Sequence, residues 1–128
     1  MRKSTKSLRK KMWKLMSEYV RKRDKYICFT CSAQLTKATS QAGHYIHKDC
    51  LDYDEININC QCVRCNKWLS GNLGIYAERL IAKYGEEEVN LLRVKSQQIK
   101  KLKKWTISEL EEMIDTYKQT LQSMKSIT

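Results

Sequence analysis

The sequence predicts an α+β chain, mostly helical, with a small metal-stabilised core near its middle. Three observations predict it. Of 128 residues none is proline and only four are glycine, which argues against long structureless linkers. Apolar residues recur at helical spacing toward both ends. Two C-x-x-C pairs, Cys28-Phe-Thr-Cys31 and Cys62-Val-Arg-Cys65, have the spacing with which two turns present four thiolates to one tetrahedral zinc ion. A chain of this length is expected to form one compact unit, to whose core a structural metal is a useful addition. Its expected parts are a basic N-terminal helix (1–25), a zinc-stabilised core (26–72) and a C-terminal helical region (73–128).

The elements follow in order. Over residues 8–25, Leu8, Met12, Leu15, Met16, Tyr19 and Val20 recur at helical spacing while lysines and arginines fill the rest, so an amphipathic basic helix is expected. Residues 26–61 have mixed patterns, within which 42–47 and 56–61 read as short strands. Leu73–Tyr84 reads as a helix stopped by Gly85. Glu86, Glu87 and Glu88 suit the positive end of a next helix running to about Lys103. Thr106 and Glu109 form a capping box, with Trp105 placed to pack on Leu110. From there Leu110, Met113, Ile114, Tyr117, Leu121 and Met124 draw one apolar stripe, which is buried either within the chain or against a second copy.

The net charge of +11 is uneven: residues 1–25 carry +9, residues 26–75 balance at 0 and residues 76–128 carry +2. A basic flank of this kind grips a polyanion through phosphate contacts and counterion release. The expected contacts are Lys10, Lys11, Lys14, Arg21, Lys22 and Arg23, joined by Arg64 and Lys67 beside the second cysteine pair. The bland reading of such a run is a solvated face, and an anionic membrane surface is the weaker partner. Concentration of the charge, with a pI near 9.5, next to metal-site spacing favours nucleic acid. No apolar run is long enough to span a bilayer, and the basic start lacks the apolar stretch of a signal peptide. A soluble, intracellular protein is expected, and in that compartment close cysteine pairs bind metal more often than they form disulfides. A redox role for the pairs is the lesser reading. Cys50 and Cys60 are left over as buried or incidental thiols; a strand would put Cys60 on the same face as Cys62, so an exchange of ligand stays open.

Between and after the cysteine pairs lie His44, in Ala42-Gly-His-Tyr-Ile-His47, then Asn57 five residues before Cys62, and Asn66 directly after Cys65. An imidazole near neutrality can deprotonate water, an amide can orient it, and an oxygen donor suits Mg²⁺. Taken singly, a histidine is more often structural, an asparagine more often caps a turn, and Asn66 has the alternative of capping a helix. Their joint order resembles the HNH nucleases and their ββα-metal fold. The resemblance implies His44 as general base, Asn57 holding its ring, Asn66 as a ligand at a helix start, and Mg²⁺ or Mn²⁺ as the catalytic ion. It departs at residue 43, where many such enzymes carry a second ligand and this chain has glycine. Asp54 is the first candidate to fill that place, followed by Asp52, Asp49, His47, water or substrate phosphate. His47 is equally open to binding phosphate or simply occupying the loop.

A closer resemblance runs through Ala42-Gly-His-Tyr, Asp54-Glu-Ile-Asn57, Asn59-Cys-Gln-Cys-Val-Arg-Cys-Asn66 and Ser70-Gly-Asn72. It extends to the flanks at Ser17-Glu-Tyr-Val-Arg-Lys-Arg-Asp24, Lys83-Tyr-Gly85 and Glu111-Glu-Met-Ile-Asp-Thr-Tyr-Lys118. These are similar to the NinG/Rap family of phage recombination nucleases, and more distantly to phage endonuclease VII. The resemblance implies a structure-selective, Holliday-junction resolvase-like endonuclease acting on branched DNA such as junctions and D-loops. It also implies the host cytoplasm as its place, phage or host recombination proteins as partners, and a homodimer if junctions are cut symmetrically. Two other readings stand beside it: a non-enzymatic zinc-stabilised DNA-binding module, and an HNH endonuclease specific for a linear sequence.

Overall fold

The basic N-terminal pattern becomes helix α1, Thr5–Arg23. Its buried residues are Leu8, Met12, Met16 and Val20, one every four positions, while Leu15 and Tyr19 are half-buried and Lys10 and Lys14 exposed. In this computed structural model residues 4–98 and 103–127 are described. They fall into two compact units, Met1–Tyr19 with Lys104–Thr128, and Val20–Lys103. The boundaries lie inside the expected basic helix and inside the expected C-terminal region.

The unit Val20–Lys103 holds strand β1 (Ser40–His44), a 3₁₀ turn (Asp49–Leu51), strand β2 (Ile58–Cys62), a π-helical turn (Arg64–Trp68), and helices α2 (Leu73–Tyr84) and α3 (Glu86–Gln98). β1 and β2 pair antiparallel, Ser40 with Cys62, Ala42 with Cys60 and His44 with Ile58. β1 starts two residues and ends three residues before the expected 42–47, β2 starts two residues and ends one residue after the expected 56–61, and the reason is local. Past His44 the backbone of Ile46 bonds at both its N–H and its carbonyl to the Asn57 amide, at 2.8 and 2.9 Å, so it has no groups left for a strand partner.

α2 ends where glycine predicts: Gly85 has φ +91° and its N–H bonds the Ile81 carbonyl at 2.9 Å, a conformation that favours a residue without Cβ. α3 then opens on Glu86, Glu87 and Glu88, and the expected extension through 99–102 lies outside the described residues. Two apolar clusters support the hairpin. Tyr76, Leu80 and Val89 pack with Phe29, Tyr45, Ile56 and Tyr84; Cys50, Leu51 and Leu92 pack with Ile46 and Ile56. Ile56 belongs to both.

In the other unit, α4 spans Ile107–Ile127. Its capping box forms as the sequence reads: Glu109 N–H bonds Thr106 Oγ1 at 3.1 Å and Thr106 N–H bonds Glu109 Oε1 at 3.1 Å. Leu110, Ile114 and Leu121 of the stripe are buried, and the Tyr19 and Tyr117 rings meet edge to face with centroids 5.2 Å apart. Among the described residues no helix is long and apolar enough to cross a membrane.

Candidate functional site

The four cysteines of the two pairs converge. The Sγ atoms of Cys28, Cys31, Cys62 and Cys65 all lie within 4.8 Å of one another, and Cys31 Sγ is 3.8 Å from Cys62 Sγ. Four sulfurs around one zinc at its usual bond length stand about 3.8 Å apart, so this donor set fits a structural zinc ion. Cys60 is not one of them: it is buried, and burial pushes its thiol up to about 12. The alternation of β2 would allow Cys60 to replace Cys62, but the Cys60 backbone is held elsewhere, its N–H on Asp24 Oδ2 at 2.8 Å and its carbonyl on Phe29 N–H at 2.8 Å.

Around the cluster, polar hydrogens point at sulfur. Cys62 N–H bonds Cys28 Sγ and Cys65 N–H bonds Cys62 Sγ, both at 3.4 Å, and the Asn72 amide reaches Cys65 Sγ at 3.7 Å. Burial alone would raise the Cys28 thiol. Bonds from the Thr30 hydroxyl and from backbone N–H groups of Cys62, Cys31 and Thr30 outweigh it, and its pKa falls to about 6. Burial and the neighbouring thiols push Cys31 up to about 12. Four crowded thiols cannot all ionise by themselves, and a dication supplies the missing charge.

His44 stands at the end of β1. Its Nε2 is 3.1 Å from the Asp52 carbonyl oxygen, and since a carbonyl only accepts, Nε2 carries the proton and Nδ1 is the basic nitrogen. Burial lowers the pKa of the ring; the Asp52 carbonyl opposes that and the nearby His47 reinforces it. The His47 ring lies 5.7 Å from it, centroid to centroid.

Residue 43 is packed against two amides. A Cβ on Gly43 would run into Gln61 Oε1 and lie 2.8 Å from Asn66 Oδ1, so a ligand side chain there would have to displace both. The two amides fill that space and bring Asn66 beside the residue that precedes His44. Gln61 is fully buried, with Nε2 donating to Thr30 Oγ1 at 3.2 Å and to the Gly71 carbonyl at 2.9 Å, while Oε1 accepts no hydrogen bond from the described residues. Hard divalent ions take oxygen donors, so these amide oxygens fit such an ion by type. Both are uncharged, and among the described residues the cysteine cluster is where three or more His, Cys, Asp or Glu groups gather. The capping alternative for Asn66 does not hold: it lies in the middle of the π-helical turn, whose N-cap is Val63, and its Nδ2 donates to Gln41 Oε1 at 2.9 Å.

Three expected roles are altered by their hydrogen bonds. Asn57, wholly buried, spends its amide on the backbone of Ile46 and Leu51. It therefore fixes the loop that carries Asp52, and acts on His44 through that carbonyl. Asp54 Oδ1 accepts from Ile56 N–H at 3.0 Å and Asn57 N–H at 3.2 Å, a turn cap in which that oxygen is occupied. Arg23 bonds Asp24 Oδ1, the carbonyls of Glu55 and Ile58, and Asn59 Oδ1, all within 3.0 Å. Its guanidinium clamps the end of α1 to β2 instead of presenting itself to phosphate. Arg21 donates to the Lys37 carbonyl at 3.1 Å. Lys10, Lys11, Lys14, Arg64 and Lys67 are exposed and Lys22 half-exposed.

Sequence reasoning missed Tyr76. Its hydroxyl donates to the Gly43 carbonyl at 2.6 Å and accepts from Asn59 Nδ2 at 3.1 Å, tying α2 to both strands next to His44. Burial raises its pKa, which keeps it a donor. A tyrosine at a helical core position carries no sequence signal of such a bond.

The family model described as "Bacteriophage Lambda NinG protein" matches residues 1–126. The proteins called ninG of Escherichia phage lambda and Escherichia phage 933W are each 33% identical over 115 residues, covering 87% of this chain and 54% and 55% of their own lengths. That of Salmonella phage P22 is 34% identical over 114 residues, 86% of this chain and 54% of its own. The chain thus spans about half the length of the curated relatives it matches. No solved structure matches it significantly.

Proposed function

This chain belongs to the bacteriophage NinG family, and we propose that it is a metal-dependent endonuclease that cuts branched DNA. The observation that carries the reading is the state of His44: Nε2 tied to the Asp52 carbonyl at 3.1 Å and a pKa lowered by burial. At neutral pH such a ring is an uncharged base, as general-base catalysis needs. In the proposed step Nδ1 of His44 takes a proton from water. The water oxygen bonds to phosphorus, the P–O bond to the leaving sugar oxygen breaks, and that oxygen is protonated from solvent. Asn57 holds the loop that aligns His44. Asn66 Oδ1, with Gln61 Oε1 behind it, would face a Mg²⁺ or Mn²⁺ ion, which when bound offsets charge on the phosphate and the leaving oxygen. Zinc on the four cysteines supplies scaffold, not chemistry. Exposed Lys10, Lys14, Arg64 and Lys67 would meet backbone phosphates, which position DNA without reading its sequence.

The test is cleavage of a four-way junction, a D-loop and matched linear duplex with Mg²⁺ or Mn²⁺, comparing the wild type with His44→Ala. Cutting confined to branched substrates, and reduced at least about a hundred-fold in the variant, is expected. One observation favours the competing reading of a non-catalytic zinc module that binds DNA: no carboxylate joins His44 in a ligand cluster among the described residues. A wild type that binds junctions but cuts nothing with either metal would establish that reading instead.

A further inference from the structure

Trp68 is 80% exposed, an uncommon position for a side chain of its apolar area. It ends the π-helical turn Arg64–Trp68 and is followed by Leu69, which is also exposed. The same turn carries exposed Arg64 and Lys67, Cys65 of the metal cluster, and Asn66 of the candidate catalytic site. Its mounting is tied down on several sides. Leu69 N–H bonds the Arg64 carbonyl at 2.8 Å, Gly71 N–H bonds the Cys65 carbonyl at 2.9 Å, and Asn66 Nδ2 bonds Gln41 Oε1 at 2.9 Å. π-helical turns are rare and recur at functional sites. An indole on such a mount keeps its face in water at the cost of leaving apolar area unburied.

The occupant that fits is a nucleobase with a bare face. Aromatic rings stack on any base whose own neighbours have left it, and cations on the same turn take the adjoining phosphates. Inside a paired duplex each base face is covered by the next pair, whereas at a branch point faces come open. Protein interfaces, by contrast, are depleted of lysine, and here Lys67 shares the turn with the ring.

We propose that Trp68 is the residue that recognises branching: its indole stacks on an unstacked base at the branch point, with Arg64 and Lys67 on the neighbouring phosphates. The inference rests on the reading that this chain acts on branched DNA, and names what in that substrate is recognised. The test measures binding by the full chain, without added Mg²⁺ or Mn²⁺, to a four-way junction carrying 2-aminopurine at the branch point and to a matched duplex. Wild type should prefer the junction and quench the 2-aminopurine. Trp68→Ala should bind the junction about ten-fold more weakly, lose the quenching and leave duplex affinity unchanged, while Trp68→Phe should retain most of both. Because the ring is exposed, neither change should disturb folding, and a melting curve checks that. The proposal is overturned if wild type binds junction and duplex alike, if Trp68→Ala keeps junction affinity and quenching, as a protein-docking tryptophan would, or if it weakens both substrates equally. Binding is the readout, so a chain that cuts nothing but prefers junctions through Trp68 keeps this inference and loses the nuclease. A chain that cuts junctions equally well without Trp68 does the reverse.

Discussion

At His44 the acid–base behaviour follows from where the ring sits. Burial disfavours the imidazolium and lowers its pKa from the ordinary 6.5. A lowered value means that the basic form is already dominant at pH 7 and persists as pH falls through 6.5; only below the depressed pKa does protonation remove the base. The expected pH profile of kcat/KM therefore holds its plateau through 6.5 and then loses about ten-fold per unit. An acid limb with its midpoint at or above 6.5 would assign the proton transfer elsewhere. What marked His44, Asn57 and Asn66 as candidates in the sequence was their spacing against the cysteines. What Asn57 does was not legible there: its partners are the backbone of Ile46 and Leu51, and a backbone partner leaves no trace in residue identity. Gln61 was equally hidden, being a polar residue on a strand buried on both faces.

At the scale of elements, the cations of α1 sit in two different surroundings. Lys10 and Lys14 are exposed, whereas Arg23 is bonded to Asp24, Asn59 and two carbonyls. Arg23→Ala should lower unfolding stability by about 2–3 kcal/mol, since charge-assisted bonds are lost and their acceptors stranded. Lys10→Ala or Lys14→Ala should change stability by less than about 0.5 kcal/mol while reducing the salt slope of DNA binding by about one each. Urea unfolding and binding measured across salt concentrations separate the two; an Arg23→Ala chain with unchanged stability and weakened DNA binding would return Arg23 to the phosphate contacts. The helices and their ends were readable because caps and periodicity are local: Gly85 and the Thr106–Glu109 box lie where expected. The strand ends were displaced by one to three residues, and the π-helical turn had no signature at all, because both depend on contacts across the hairpin.

For the molecule as a whole, a two-stranded sheet is too small to stand by itself, and here it is supported by the cysteine cluster, Tyr76 and two modest apolar clusters. A structural zinc contributes on the order of 10 kcal/mol, comparable with the total stability of a domain. Purified protein should hold one zinc ion at the four cysteines, and its removal by a strong chelator should abolish the cooperative melting of Val20–Lys103. Metal analysis and thermal melts with and without chelator check this; an unaltered melt in zinc-free protein would mean that the apolar packing suffices. That residues 1–19 and 104–128 cluster in one unit was not visible in the sequence, since pairing between distant segments leaves no local mark. The boundary between Tyr19 and Val20 lies within the continuous α1, and this governs how the protein can be dissected. A protease needs several residues of extended chain in its cleft, so it will not part the units at that bond while the helix persists. A gene trimmed to begin at Val20 would encode barely one turn of helix, too short to hold its shape, and would leave the Arg23 clamp on a fraying end.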